Sequence, residues 1–153
     1  MNVTLTQKET TLLKDLKDQE KLCEEKYKKS AQVAADPQLK QLFSDLATVE
    51  HHHYDMLVQI EGGQVPTNTQ SPAVNGMPFH QTYAMGSEPT KDQDAFLCND
   101  LLTGEKHVST LYNTCIFEFG QPELRQVLNT IQSDEQKHGE QIYKYMKTNH
   151  MYS

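Results

Sequence analysis

The chain has 153 residues, a formal net charge of −7 at pH 7 and 36% hydrophobic residues. This length fits one domain, which we take to span residues 1–153. The acidic balance argues against a nucleic-acid-binding surface, because such a surface needs clustered basic side chains. No apolar run is long enough to cross a membrane, and residues 1–8 lack the apolar region of a secretory signal.

The three cysteines, Cys23, Cys98 and Cys115, are odd in number and show no C-x-x-C spacing. This usage favours reduced thiols inside a cell over a disulfide framework. We therefore expect a protein that is made in the cytoplasm, with Cys23 and Cys115 as small core residues.

Two helices are predicted in the first half of the chain, over about residues 6–35 and 37–61. Thr6 and Glu9 have the spacing of a capping box, which favours a helix start at this point. Asp36-Pro37 supplies an N-cap followed by a proline at the first helical position. The break between the two helices is short, so the second should fold back antiparallel to the first.

Residues 62–90 are predicted to form a long irregular connection, and they include four prolines and four glycines. Loops of this length are uncommon in compact domains and need a function or a topological reason. The reason here is a crossover along the bundle, because the second and third helices are expected to run parallel. His80 could cover a site from this connection, whose candidate anchors are Val65, Val74, Met77, Phe79, Tyr83 and Met85.

Two further helices are predicted over about residues 91–119 and 122–147. Thr90-Lys91-Asp92-Gln93 has the spacing of a second capping box, before the third helix. Gly120-Gln121-Pro122 ends that helix and begins the fourth, as Asp36-Pro37 does in the first half. The expected fold is all-α, an antiparallel four-helix bundle made of two helical hairpins that the crossover joins.

Each predicted helix carries an apolar stripe at three- and four-residue steps, and polar residues interrupt all four stripes. The interrupting residues are Glu20 in the first helix, Glu50 and His53 in the second, Glu105 in the third, and Glu135 and His138 in the fourth. A shift of 85 positions places the first three on the last three, and aligning residues 20–53 with 105–138 gives eight identical positions. The repeat indicates two hairpins, related by a pseudo-two-fold axis, that bring the six side chains to one cavity.

A Glu-x-x-His sequence places a carboxylate and an imidazole on one helical face, about 4.5 Å apart along the axis. Four ionised carboxylates in a core would carry a charge of −4, and no Lys or Arg lies in the four stripes to neutralise it. Two divalent metal ions would bring the sum to zero. Carboxylate and imidazole ligands suit iron and manganese, which we expect, and also zinc.

Other interpretations of these residues stay open. The two Glu-x-x-His sequences could coincide by chance, or the bundle could keep them as a degraded or empty site. His51 and His52 form a triplet with His53 but leave the stripe, so they are expected to face solvent. His107 comes two residues after Glu105 and should lie off its face.

The pattern resembles the ferritin-like superfamily, in which two helices each give one Glu and two others each give a Glu-x-x-His. The resemblance covers roughly residues 6–147 and implies terminal ligands Glu20 and Glu105, bridging ligands Glu50 and Glu135, and one imidazole on each metal from His53 and His138. Tyr27 resembles the tyrosine near the di-iron site of ferritins and bacterioferritins. Tyr27 and its repeat mate Tyr112 are therefore the candidate catalytic residues.

More closely, the chain resembles coat F domain proteins, a ferritin-like family of spore coat proteins from spore-forming Firmicutes. The stretches that carry this resemblance are Leu5-Thr6-Gln7-Lys8-Glu9, Asp15-Leu16-Lys17-Asp18-Gln19-Glu20, Asp100-Leu101-Leu102 and Tyr143-Lys144-Tyr145-Met146. It implies synthesis in the cytoplasm of the mother cell, deposition in the spore coat and contact with other coat proteins. A homo-oligomer, dimeric or larger, is expected. Shorter spacing between ligands and no fifth helix argue against a ferritin-type storage cage.

Three functions fit these residues. The first is a redox enzyme whose di-iron or di-manganese centre oxidises Fe(II) or consumes O2 or peroxide. The second is a structural coat component, in which a metal only stabilises the bundle. The third is a scavenger of metal or oxidant within the coat. The ligand set favours metal binding and the family resemblance favours a coat role, and the two are compatible.

Overall fold

The computed structural model describes residues 2–74 and 78–152, and within them the chain is all-α. Those residues form four helices, which are α1 (Gln7–Val33), α2 (Pro37–Glu61), α3 (Glu88–Glu118) and α4 (Pro122–Thr148). The helices pack as a bundle in which α1 lies mainly against α2 and α3 mainly against α4, with further contacts between α1 and α3. None of the described helices has both the length and the apolar character that crossing a bilayer requires.

The helix starts follow from local hydrogen bonding, with one departure from the prediction. Thr6 and Glu9 form the predicted capping box, and the Thr6 amide donates to the Glu9 carboxylate at 2.8 Å. Asp36 caps α2 by accepting a hydrogen bond from the amide two residues later, at 2.9 Å. The capping box predicted at Thr90 is wrong, because α3 already begins at Glu88. The proline that follows Glu88 suits the first turn of a helix, so α3 begins earlier in the chain than predicted.

The apolar residues of the bundle form two clusters, and the acidic and histidine residues lie between them. Along α1, Leu16 belongs to the first cluster and Tyr27 to the second, with Glu20 between them in the sequence. The Glu-x-x-His of α4 likewise lies between Ile131 of the first cluster and Ile142 of the second. The ionisable side chains are therefore placed in the middle of the bundle, where apolar packing separates them from water.

The connection between α2 and α3 is held on the bundle by apolar side chains. Four of the predicted anchors are confirmed, because they are buried or pack against the two clusters: Val65, Val74, Phe79 and Tyr83. Met85 is fully exposed, so its predicted anchoring role is wrong. Met77 lies outside the described residues.

A buried carboxylate joins this connection to two of the helix ends. Asp94 on α3 is fully buried and accepts hydrogen bonds from the amides of Ala35 and Asp36, at 2.9 and 3.1 Å. The Tyr83 hydroxyl, from the connection, donates to the same carboxylate at 2.6 Å. Asp94 thus fixes the turn between α1 and α2, the connection and α3 relative to one another.

We predict that Asp94→Ala lowers the free energy of unfolding by about 3 kcal/mol, because it leaves buried donors unsatisfied. Chemical denaturation followed by circular dichroism measures this change. Asp92→Ala is the matched control, since Asp92 is an exposed carboxylate on the same helix, and it should stay within about 0.5 kcal/mol of the parent. Equal losses in the two variants would contradict the role given to Asp94.

Candidate metal centre

The structure brings all six predicted ligands together in the middle of the bundle. Each is buried, with at most 3% of its surface exposed, and the group comprises Glu20, Glu50, His53, Glu105, Glu135 and His138. Each projects from its helix at the position where the apolar stripe is interrupted. Spacing of three residues within α2 and within α4 puts each histidine on the same face as its glutamate.

The two histidines make reciprocal contacts across the centre. Nδ1 of His53 lies 2.9 Å from the Glu135 carboxylate, and Nδ1 of His138 lies 2.9 Å from the Glu50 carboxylate. Each imidazole therefore faces the glutamate of the other half of the repeat. The two rings are nearly parallel, with centroids 6.0 Å apart and an interplanar angle of 17°.

The two predicted catalytic tyrosines are buried beside the same carboxylates. Tyr27 on α1 donates a hydrogen bond to Glu105 on α3, and Tyr112 on α3 donates one to Glu20 on α1. The contacts are again reciprocal between the two halves. Burial and the nearby carboxylates raise the pKa of both phenols well above the usual range, so both hydroxyls keep the proton they donate.

The side chains form two overlapping groups that could each hold a metal ion. One is Glu20, Glu50, His53 and Glu135, and the other is Glu50, Glu105, Glu135 and His138. Within each group the candidate ligand atoms all lie within 4.8 Å of one another. Because Glu50 and Glu135 belong to both groups, two adjacent ions sharing these carboxylates are compatible with the geometry.

The oxygen and nitrogen atoms of the centre are better suited to binding a cation than to a network of hydrogen bonds. Within the described residues, several buried atoms of the centre have no hydrogen-bond partner: Glu20 Oε2, both oxygens of Glu50 and of Glu135, Glu105 Oε2 and His53 Nδ1. An unsatisfied buried polar atom costs about 1–3 kcal/mol. No ion pair between a Lys or Arg and these four carboxylates occurs among the described residues. A metal ion would satisfy the clustered acceptor atoms that the two tyrosine hydroxyls leave without a partner.

Without a metal, protons must neutralise the centre. Burial raises the pKa of Glu50 and of Glu105 well above the usual range, and the charge of Glu135 adds to both shifts. Burial opposes ionisation of Glu135 as well, but its close contacts with Glu105, His138 and His53 prevail and hold its pKa well below the usual range. Burial would also lower the pKa of His138, yet the carboxylates around it raise this pKa to about 9. A binding metal would displace such protons.

One functional contact was not predicted from the sequence. Nε2 of His53 lies 2.9 Å from Asp134, a buried residue on α4, and the Ser71 hydroxyl from the connection donates to the same carboxylate. Burial raises the pKa of Asp134, but these two hydrogen bonds outweigh it and hold the pKa below the usual range. Its position directly before Glu135 was the available signal. The internal repeat gave no indication of this contact, because the residue that corresponds to Asp134 in the first half is Val49.

The remaining histidines lie away from the centre. His51 is exposed and contacts Glu24 at 2.9 Å, which confirms its predicted surface position, whereas His52 is half-buried. His107 is exposed, as predicted. His80 is exposed and its amide donates to α2, so Ser71 rather than His80 brings the connection to the centre.

The cysteines are free thiols in the described structure. Cys23 and Cys115 are buried in the first apolar cluster, which confirms their prediction as core residues. Cys98 is buried in the second cluster. Burial raises the pKa of all three thiols, so they remain protonated and weakly reactive.

Part of the chain matches a known family. Residues 93–153 match the family model of the Coat F domain, and this region takes in most of α3, all of α4 and the residues after it. The match supports the resemblance drawn from residues 100–102 and 143–146, which lie inside it. It covers less than half of the chain and contains Glu105, Glu135 and His138. No curated protein and no solved structure matches the chain.

We predict that Asp134→Val, which copies the repeat mate Val49, weakens Mn(II) binding by about 10–100-fold. The reason is that His53 loses the partner that fixes its ring. Calorimetric titration of the anaerobic protein measures the affinity. Asp55→Val is the matched control, because it removes an exposed carboxylate two residues after His53 and should leave the affinity unchanged. Parallel losses in the two variants would refute the positioning role.

Proposed function

We propose that the chain is a ferritin-like protein of the spore coat, with a dinuclear metal centre that oxidises Fe(II) or consumes O2 or peroxide. The observation that carries this proposal is the pair of overlapping buried ligand groups. The bundle would be two antiparallel hairpins related by a pseudo-two-fold axis, as the internal repeat indicates. The close packing of α1 on α2 and of α3 on α4 supports that arrangement.

The two ligand groups suggest how the metals would be held. We assign Glu50 and Glu135 as bridging ligands, because both belong to both groups. The terminal ligands are then Glu20 with His53 on one metal and Glu105 with His138 on the other. Two divalent ions offset the charge of four carboxylates, and iron or manganese suits this donor set, with zinc as the redox-inactive alternative.

The protein residues would orient ligands and manage protons. Bound iron or manganese would supply the redox chemistry. Reduction of one hydrogen peroxide to two waters takes two electrons and two protons, and a bound pair of Fe(II) ions would hold the two electrons required. The hydroxyls of Tyr27 and Tyr112 hold the terminal carboxylates through hydrogen bonds. Asp134 holds His53. These contacts restrict the reorientation of Glu20, Glu105 and His53.

The Coat F domain match supports a location in the spore coat. The protein would be made in the cytoplasm of the mother cell, deposited on the spore and bound there to other coat proteins, as a homo-oligomer of two or more copies. At that location, consumption of oxidant or of free Fe(II) would protect the assembled coat. A scavenger would bind metal or react with oxidant once, whereas an enzyme would repeat the reaction through many turnovers.

A purely structural coat protein is the second candidate function, and one observation favours it. The region that matches the Coat F domain contains only one half of the repeat and three of the six proposed ligands. A coat role that depends on this region therefore does not require an intact dinuclear centre. In that case the metal, or the protons that replace it, would only stabilise the bundle.

We predict about two iron or manganese ions per chain in the purified protein, measured by elemental analysis. The double variant Glu50→Ala/Glu135→Ala should lose them, because it removes both bridging ligands. Glu61→Ala/Glu123→Ala is the control, since it takes two exposed carboxylates from the same helices. A folded parent without metal would instead favour the structural function.

We predict that Tyr27→Phe slows Fe(II) oxidation by about 10–100-fold while the metal content is kept. The substitution removes the hydroxyl that holds Glu105 and leaves the aromatic packing in place. Stopped-flow absorbance with dioxygen or peroxide gives the rate, and elemental analysis gives the occupancy. Tyr54→Phe serves as the control, because Tyr54 lies on the outer part of α2 and its ring packs under Lys17. An unchanged rate in Tyr27→Phe would exclude a catalytic role for this hydroxyl.

A further inference from the structure

A groove on the surface between α3 and α4 extends to two of the residues that carry the buried carboxylates. It has a volume of about 490 Å³, and Glu105 and Glu135 form part of its floor. Its wall is mainly apolar and includes Leu102, Gly139 and Tyr143. Glu105 and Glu135 are themselves buried, and both carry carboxylate oxygens that lack a hydrogen-bond partner among the described residues. The groove therefore ends against residues that carry unsatisfied acceptors.

The internal repeat shows why the groove is open on this side. The position that corresponds to Gly139 in the first half is Tyr54, and Leu102 corresponds to Lys17. The Lys17 ammonium lies 5.9 Å from the centre of the Tyr54 ring and also pairs with Glu61 at 2.8 Å. An aromatic ring and a long side chain thus occupy the outer surface of the α1–α2 pair. A hydrogen atom takes the place of that ring at Gly139.

A second cavity borders the centre from the crossover side, and its chemistry is different. It has a volume of about 500 Å³ and reaches His138. Its walls include Ser71, Asp134, Lys137 and Gln141, so charged and amide groups surround it. Hydrated ions are better accommodated by such polar walls, whereas a mainly apolar wall favours a small uncharged molecule.

We propose that the α3–α4 groove is the route by which a small uncharged molecule of the size of dioxygen reaches the centre, and that Gly139 keeps it open. This inference rests on the proposed function for the use of that molecule. The charged side chains Lys106 and Glu140 border the groove and are largely exposed, so they can turn to solvent without blocking it. The ligand set is symmetric between the two halves of the repeat, but the route gives access to the centre from the α3–α4 side.

Dissolved dioxygen is paramagnetic, so it tests the route in the metal-free protein. Its relaxation enhancement, measured by nuclear magnetic resonance under oxygen pressure, should be strong at the Leu102 methyl groups and at the Gly139 amide. It should be weak at the Tyr54 amide, which corresponds to Gly139, and at the methyl groups of Leu57, a buried residue of the same helix. Equal enhancement in the two halves would overturn the proposal, and this comparison requires no substitution.

Gly139→Tyr, which copies the first half, should abolish the enhancement at Leu102. Gly139→Ala is the matched control, because its Cβ would meet the Leu102 side chain at 3.5 Å, an ordinary contact, and leave the groove open. Ser133→Tyr adds the same ring at an exposed position of α4 and should change nothing. Persistence of the enhancement in folded Gly139→Tyr would also overturn the proposal.

Nitric oxide extends the test to the protein loaded with Fe(II). In anaerobic stopped-flow mixing, Gly139→Tyr should slow formation of the iron–nitrosyl absorbance about tenfold, with the final amplitude and iron content unchanged. Equal rates in the parent and Gly139→Tyr would refute the route while leaving the metal centre in place. A parent that binds neither iron nor manganese would instead refute the proposed function, and dioxygen relaxation would still decide the route.

Discussion

The burial of four carboxylates in one place is the constraint on which the rest of the molecule depends. Glutamates at the middle of a bundle repel one another, and no Lys or Arg among the described residues pairs with them. Their charge has to be offset by protons or by metal ions. The apolar clusters on either side make this requirement stricter, because they keep water from screening the charges.

Contacts between the two halves of the repeat hold the acidic centre in one geometry. Each tyrosine binds a glutamate of the other half, and each imidazole faces the glutamate of the other half. The tyrosine contacts join α1 to α3, and the histidine contacts join α2 to α4, all at the same level of the bundle. Departures from the symmetry are local. Asp134 lies beside His53, whereas the corresponding position of the first half is Val49, and Gly139 borders the groove between α3 and α4.

The features that the sequence predicts correctly are those in which a residue type at a fixed spacing has a single physical consequence. The capping residues at Thr6 and Asp36 place the starts of α1 and α2 correctly, since each satisfies an amide of its own first turn. The prediction failed at Thr90, where an earlier proline allowed the helix to begin sooner. Asp134 was missed because a polar residue beside a ligand looks like ordinary helix surface until its partner is known.

The sequence by itself determined the four helices and the placement of six ionisable residues on their apolar faces, because helical periodicity fixes which side chains share a face. Only the tertiary structure decided which partners those residues meet. The pairing of His53 with Asp134, the position of Ser71 over it and the open groove beside Gly139 all join segments far apart in the chain. Such contacts depend on how helices and the connection pack, and periodicity within one helix carries no information about that.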